Sequence, residues 1–218
     1  MKTIFFFALT LCVGMTMQTQ QTGDDDLISA KSPKAEIPVI SDYEKILIVY
    51  LSRTNNTKAV AKMIQARAGG DLVALELQDP YPENYQEIVA RVAEENETGF
   101  LPPLKTKIDN LGYYDTVFIG FPTWGMQLPS PIKSFLTEND LSGKTVIPFN
   151  TNAGYGLGSS IRTIKSLCPD SEILEAFSVE GGIERDGILF VMEGDRAEEV
   201  DAQVSLWLEK IDILKNKN

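Results

Sequence analysis

The sequence predicts an α/β domain: a doubly wound parallel sheet of five strands with helices on both faces. Three observations predict it. From about residue 46 onwards, short apolar runs alternate with segments of helical periodicity, the pattern of parallel strands joined by helical crossovers. The run Thr116–Phe121 (TVFIGF) is almost wholly apolar, as a strand covered on both faces must be. The first apolar run is followed at once by a polar turn and a helix start, an arrangement in which α/β sheets hold anions.

The elements follow in order. Ile46–Leu51 reads as a buried strand. The turn Ser52-Arg53-Thr54-Asn55-Asn56-Thr57 leads into Ala59, Val60, Met63 and Ile64, which are spaced as one helix face. Backbone N–H groups converge at such a junction and the helix dipole adds positive charge. A phosphate can be held there without metal and without Lys, with Ser52, Thr54, Asn56 and Thr57 as side-chain donors. Thr57 as a simple N-cap is the other reading. The segment is neither a GxxxxGK[ST] loop nor a GxGxxG fingerprint.

Asp71–Leu77 is a second strand, and Tyr85–Glu97 a helix with Ile88, Val89 and Val92 on one face. Thr116–Phe121 is the third strand, and Ile132–Leu136 opens a helix after Pro129 and Pro131. Lys144–Asn150 is the fourth strand, although Pro148 suits it poorly. A helix over Ser159–Leu167, a fifth strand over Glu172–Val179 and a closing helix over Ala197–Leu214 complete the domain. The closing helix carries Val200, Val204, Leu208 and Ile211 as its stripe, with Trp207 beside it as a core residue. A phosphate loop after the first strand fits the strand order 2-1-3-4-5, with ligand beyond the carboxyl ends of strands one and three.

Two further loops leave that edge. Pro122-Thr123-Trp124-Gly125-Met126-Gln127-Leu128-Pro129 sets an aromatic among turn formers. Thr151-Asn152-Ala153-Gly154-Tyr155-Gly156-Leu157-Gly158 has Gly at alternate positions, so its backbone can approach a ligand closely. The three loops together suit a flat, aromatic, phosphorylated ligand. The plainer reading has Trp124 packing over a helix and the glycines only turning the chain.

Composition narrows the chemistry. The 218 residues, 43% hydrophobic and 23% charged, suit one domain with a full core. A net charge of −11 disfavours nucleic acid and anionic membrane as partners. It suits a basic partner or simple solubility. The chain has no His, which excludes imidazole acid–base chemistry and His-ligated metals, and its two Cys cannot build a four-thiolate site; no metal site is expected. Lys2 followed by the apolar run Ile4–Val13 reads as an export signal over residues 1–18. Cys12 raises a lipoprotein reading, although the preceding Leu11 is large for that motif. Residues 19–40, with Asp24-Asp25-Asp26, Pro33 and Pro38, read as a disordered spacer before a domain spanning 41–218. Cys168 is left without an intramolecular partner and reads as a buried, inert thiol.

These segments resemble the flavodoxin family over about residues 43–218. Ile48-Val49-Tyr50-Leu51-Ser52 with Thr54, Thr57 and Ala61 is similar to its phosphate loop. Asn55 stands where Gly is usual, and Asn tolerates left-handed angles. PTWGMQLPSPIKSFL resembles its flavin-stacking loop and following helix, and TNAGYGLGSSIRTIKSLCP the third loop of a flavodoxin-like subgroup. DPYPENYQEIVARVAEE and VDAQVSLWLEKI match that subgroup as well. The order 2-1-3-4-5 is the known order of this fold, so the precedent supplies it.

The resemblance implies noncovalent FMN and one- or two-electron transfer. Ser52, Thr54, Asn56 and Thr57 would bind the phosphate, with Arg53 contributing backbone and Asn55 also counted in the cofactor-binding loop. Pro122, Thr123, Trp124 and Gly125 would line one flavin face or edge, and Asn152, Ala153, Gly154 and Tyr155 the other side, mainly through main chain. Tyr155 is as well read as a solvated loop tyrosine.

The expected function is an exported FMN-binding electron carrier with no catalytic residues of its own. Its partner would be a redox protein, basic in one reading, and its only membrane attachment an N-terminal lipid anchor. Its location would be periplasmic or membrane-attached. An NAD(P)H-dependent quinone or flavin reductase of the same fold is the alternative, and a cofactor-free interaction domain the third reading.

Overall fold

The computed structural model describes residues 45–214. The export segment, Cys12, the spacer and the outermost residues of the predicted domain lie outside the described residues. The elements are β1 (Ile46–Tyr50), α1 (Asn56–Ala68), β2 (Asp71–Ala74), α2 (Tyr85–Thr98), β3 (Thr116–Pro122), α3 (Ser130–Glu138), β4 (Thr145–Asn152), α4 (Ser160–Leu167), β5 (Glu172–Ile173), β6 (Phe177–Glu180) and α5 (Gly194–Lys210).

All strand pairs are parallel, in the order β2-β1-β3-β4-β5, with β6 also on β4. The predicted order is therefore found. Strand alternation divides the core. Ile46, Ile48 and Tyr50 face a layer built from α1 and α5, through Val60, Ile64, Val200, Val204 and Leu208. Leu47, Val49 and Leu51 face the opposite layer, with Ile132 and Phe135 of α3 and Ile164 of α4. Fully burying such a side chain contributes roughly 1.5–3 kcal/mol. Trp207 lies in the first layer at 5.2 Å from the Phe177 ring. Cys168 packs in the second as a free thiol, and burial pushes its pKa up.

Three boundaries differ from expectation. The second strand stops at Ala74, because β1 ends where the polar turn begins. Glu76 and Gln78 instead pair with the 103–106 segment, as in Gln78 N–H to Pro103 O at 3.0 Å. The closing helix runs from Gly194 to Lys210 and is shifted toward the N-terminus of the expected span.

The expected fifth strand is broken into β5 and β6, with a physical cause in Pro148. Val146 pairs with Ile173 and Phe149 with Phe177. Ile147 and Pro148 thus face the three residues Leu174, Glu175 and Ala176, a one-residue bulge. Pro148 offers no N–H to the ladder. The Glu175 carbonyl instead accepts the Trp207 indole N–H at 3.0 Å. Pro148 keeps its register with Ile119 on the other side, so the strand itself survives and runs on through Asn152.

Candidate functional site

The carboxyl ends of β1, β3, β4 and β6 converge on a cleft of about 520 Å³. Its floor is the turn after β1. Asn55, the residue before α1, has φ 64° and ψ −2°, the left-handed conformation that a non-glycine residue there must tolerate. The first turn of α1 holds no acidic residue, and the N-cap side chain makes no capping bond. Ser52 supplies that cap from outside the helix, its Oγ accepting the Lys58 N–H at 3.2 Å. The helix therefore presents its positive end to the cleft.

Thr57 lies inside α1 rather than at the N-cap. Its Oγ1 is 2.8 Å from Thr151 Oγ1, and the two residues are 2% and 4% exposed. This is the only hydrogen bond of the two hydroxyls among the described residues. Two hydroxyls hold two protons and their mutual bond uses one. One buried O–H donor remains, on a pair whose two residues both line the cleft beside the helix N-terminus. The donor and the helix end suit an anion.

The remaining loop side chains are tied down. The Arg53 guanidinium donates to Glu184 Oε1 at 2.6 Å, Pro82 O at 2.8 Å and Glu83 O at 2.5 Å, joining three loops and leaving its backbone at the turn. Asn56 Nδ2 donates to Thr54 Oγ1 (2.9 Å) and Leu189 O (2.6 Å), while its Oδ1 accepts the Val191 N–H at 3.0 Å.

The loop after β3 closes a tight turn between Trp124 and Gln127, with Gly125 at φ 55° and Met126 at φ 60°. Two successive positive φ values make this a type I′ turn. The Trp124 ring meets Tyr81 edge-on, with centroids 5.2 Å apart. Tyr81 is fixed in turn by Glu95 Oε2, to which its hydroxyl donates at 2.5 Å, and by the Arg91 guanidinium 4.5 Å above its ring. Burial and the Glu95 carboxylate push the Tyr81 pKa far up, so this phenol stays protonated.

Behind the loop after β4, Asn152 Oδ1 accepts the N–H groups of Gly154 and Gly156, both at 2.9 Å. Asn152 Nδ2 donates to Asn150 Oδ1 at 3.0 Å, and Thr123 donates to Gly156 O at 2.7 Å. The side chains thus shape the loop. Tyr155, 62% exposed, stands at the rim as a partner of Arg185.

Arg53, Thr54, Asn56, Thr57, Pro122, Thr123, Trp124, Gly125, Asn152, Ala153 and Tyr155 all line the cleft. Ser52 and Gly154 do not, and Asn55 lines an adjoining hollow with Leu189 and Phe190. Sequence reasoning missed three parts of the wall. Thr151 was read only as the loop's first residue. The Gly181–Arg185 segment is a fourth loop at the same sheet edge, and the Gly181-Gly182 pair was the signal for it. The third part is the inner face of α2, with Tyr85, Ile88, Val89, Val92 and Asn96. Its apolar stripe was visible as a helix face, but nothing local says that it faces a cleft.

A flavodoxin family model matches residues 45–193. A structure described as a flavoprotein from Bacteroides eggerthii is 31% identical, covering 78% of this chain and 99% of its own, with a TM-score of 0.63. Another, from Bacteroides uniformis, is 24% identical over 76% of this chain and 98% of its own, at TM-score 0.62. A flavoprotein from Lactobacillus acidophilus, solved in complex with FMN, is 20% identical over 62% and 93% of the two chains, at TM-score 0.53. No curated protein matches the sequence. With a family model spanning most of the folded part, on a parallel sheet of order 2-1-3-4-5 whose loops build this cleft, the chain belongs to the flavodoxin family.

Proposed function

We propose that the protein is an exported, FMN-binding electron carrier. The observation that carries the cofactor is the Thr57–Thr151 pair: a buried donor without an acceptor among the described residues, beside a helix N-terminus whose first turn holds no acidic residue. A phosphate is the group that such a place suits. FMN in the Lactobacillus acidophilus relative supports the same reading. Bound there, the flavin supplies the one- or two-electron chemistry. The chain's own residues do the rest. Thr54, Thr57 and Thr151 with the α1 backbone hold the phosphate. Trp124 and the backbone of Asn152, Ala153 and Tyr155 would bracket the ring, and the α2 wall would keep water from one side.

The test is a titration of the protein with FMN and with riboflavin, followed by tryptophan fluorescence. FMN should bind far more tightly and quench the signal. Trp124→Ala should remove the quenching and Trp207→Phe should keep it. Equal affinity for both flavins refutes the phosphate site.

Export belongs to the same proposal and rests on Lys2 and the Ile4–Val13 run. The sequence without residues 1–17 loses only the Lys2 charge, giving about −12 from −11. A redox partner with a basic docking face suits that charge. Mass spectrometry of the mature N-terminus separates simple cleavage from acylation at Cys12, and an intact Met1 on a cytosolic protein refutes export.

One observation favours the reductase reading as a second. The α2 side of the cleft is apolar, and Val89 there is 45% exposed. Such a wall suits a flat apolar acceptor. Turnover of NADPH with a quinone by the FMN-loaded protein would establish it.

A further inference from the structure

We infer that Asn96 is a hydrogen-bond donor to the ring bound against Trp124 and Gly125, and that Lys133 behind it polarises this donor and so raises the ring's electron affinity. The inference rests on the FMN reading. Asn96 lies in the last turns of α2 and lines the cleft. Lys133, on α3, donates from Nζ to Asn96 Oδ1 at 3.0 Å and to Gln127 Oε1 at 3.5 Å. An ammonium has donors only, so the amide oxygen must face Lys133 and the NH2 group must face away. Asn96 Nδ2 lies 3.3 Å from the place where a Cβ on Gly125 would stand. Among the described residues no acceptor meets it. Two N–H groups are therefore left beside the turn that carries Trp124, at a glycine whose missing side chain leaves them room.

Lys133 completes the device. It joins α2, α3 and the Trp124–Gln127 turn, and burial there lowers its pKa while the nearby Glu95 carboxylate raises it. A cation partly withdrawn from water acts through a less screened field. Pulling on the amide oxygen makes the N–H groups better donors, as hydrogen bonds in series polarise one another. A donor of that kind binds a reduced, electron-rich ring more tightly than an oxidised one. By linkage, that difference in affinity is a difference in reduction potential.

The experiment is an anaerobic redox titration of the full chain loaded with FMN, beside binding titrations of oxidised FMN. Asn96→Asp is nearly isosteric and keeps an oxygen for Lys133, but it replaces the donor by an acceptor. It should lower the preference for reduced over oxidised FMN by about tenfold or more, the scale of one hydrogen bond. Tenfold corresponds to about 30 mV for a two-electron couple. Asn96→Ala should move the potential the same way, and Lys133→Met should do so by less. Asn96→Asp also adds a negative charge, which lowers the potential whether or not Asn96 donates, so the deciding variant is the uncharged Asn96→Ala, in which a purely structural Asn96 predicts no change. An unchanged or raised potential in that variant, with normal FMN uptake, overturns this inference alone. A Lys133→Met potential equal to wild type overturns the polarisation by Lys133. A wild-type chain that never takes up FMN overturns the cofactor reading and this inference with it.

Discussion

Replacing Thr57 or Thr151 by Val separates ligand binding from folding more sharply than any other change in this site. Each hydroxyl is the other's only hydrogen-bond partner among the described residues, and both residues are buried. Removing one leaves a buried oxygen unpaired, which costs about 1–3 kcal/mol of apoprotein stability. Removing both, as in the double Thr57→Val, Thr151→Val variant, leaves no orphan, so much of that loss should be recovered. FMN behaves differently. On the proposed FMN reading, the pair's unused proton would make a hydrogen bond to a charged phosphate, worth about 1.5–3 kcal/mol, or roughly ten- to a hundredfold in affinity. The double variant has no such proton, so its FMN affinity should stay low while its stability returns. Riboflavin, which lacks the phosphate, should bind all four proteins alike. Chemical denaturation of the apo forms and fluorescence titration with both flavins measure the two quantities. The reasoning is refuted if FMN and riboflavin affinities fall together, or if the double variant regains FMN affinity along with its stability.

Other perturbations test the scaffold. A Cβ on Gly158 would stand 2.2 Å from the Met126 carbonyl oxygen at φ +54°, whereas Gly156 has open space at φ +70°. Gly158→Ala should therefore cost about 2–5 kcal/mol in denaturant unfolding and Gly156→Ala only about 1–2. The Ser160 hydroxyl is buried without a partner among the described residues, so Ser160→Ala should leave the melting temperature unchanged or raise it. Tyr114 donates to Asp71, and that bond, with smaller contributions from desolvation and charge, pushes its pKa from 10.0 up to about 12. A raised phenol stabilises the fold fully below its unfolded value and loses that contribution as pH climbs. Tyr114→Phe should thus flatten the fall in stability between pH 10 and 12.

Much of the fold was legible because its signals are local. The alternation of apolar runs and helical stripes follows from burial on two faces of a sheet, and the turn after β1 is a contiguous string of hydroxyls and amides. Even the awkwardness of Pro148 was visible, though its consequence was not. The proline leaves its own strand intact and breaks the neighbour, because the missing N–H is felt across the ladder. The site was legible where it is contiguous. Trp124, Thr123 and the 152–155 loop were found because each sits in one short segment at a strand end. The Thr57–Thr151 pair was not, since its members are 94 residues apart and Thr57 taken alone reads as a cap.

The sequence by itself determined the class of fold, the edge of the sheet at which the cleft opens and the chemistry excluded by the absence of His. Those depend on residue type and spacing along the chain. Only the tertiary structure decided which donors are free. It turned Arg53 and the Asn56 amide to structural bonds, left one hydroxyl proton of a buried pair without an acceptor and brought α2 over the cleft with Asn96 held by Lys133. A hydrogen bond is a relation between groups that folding brings within about 3 Å of each other. Whether a donor is used or left for a ligand is settled by what lies beside it in space.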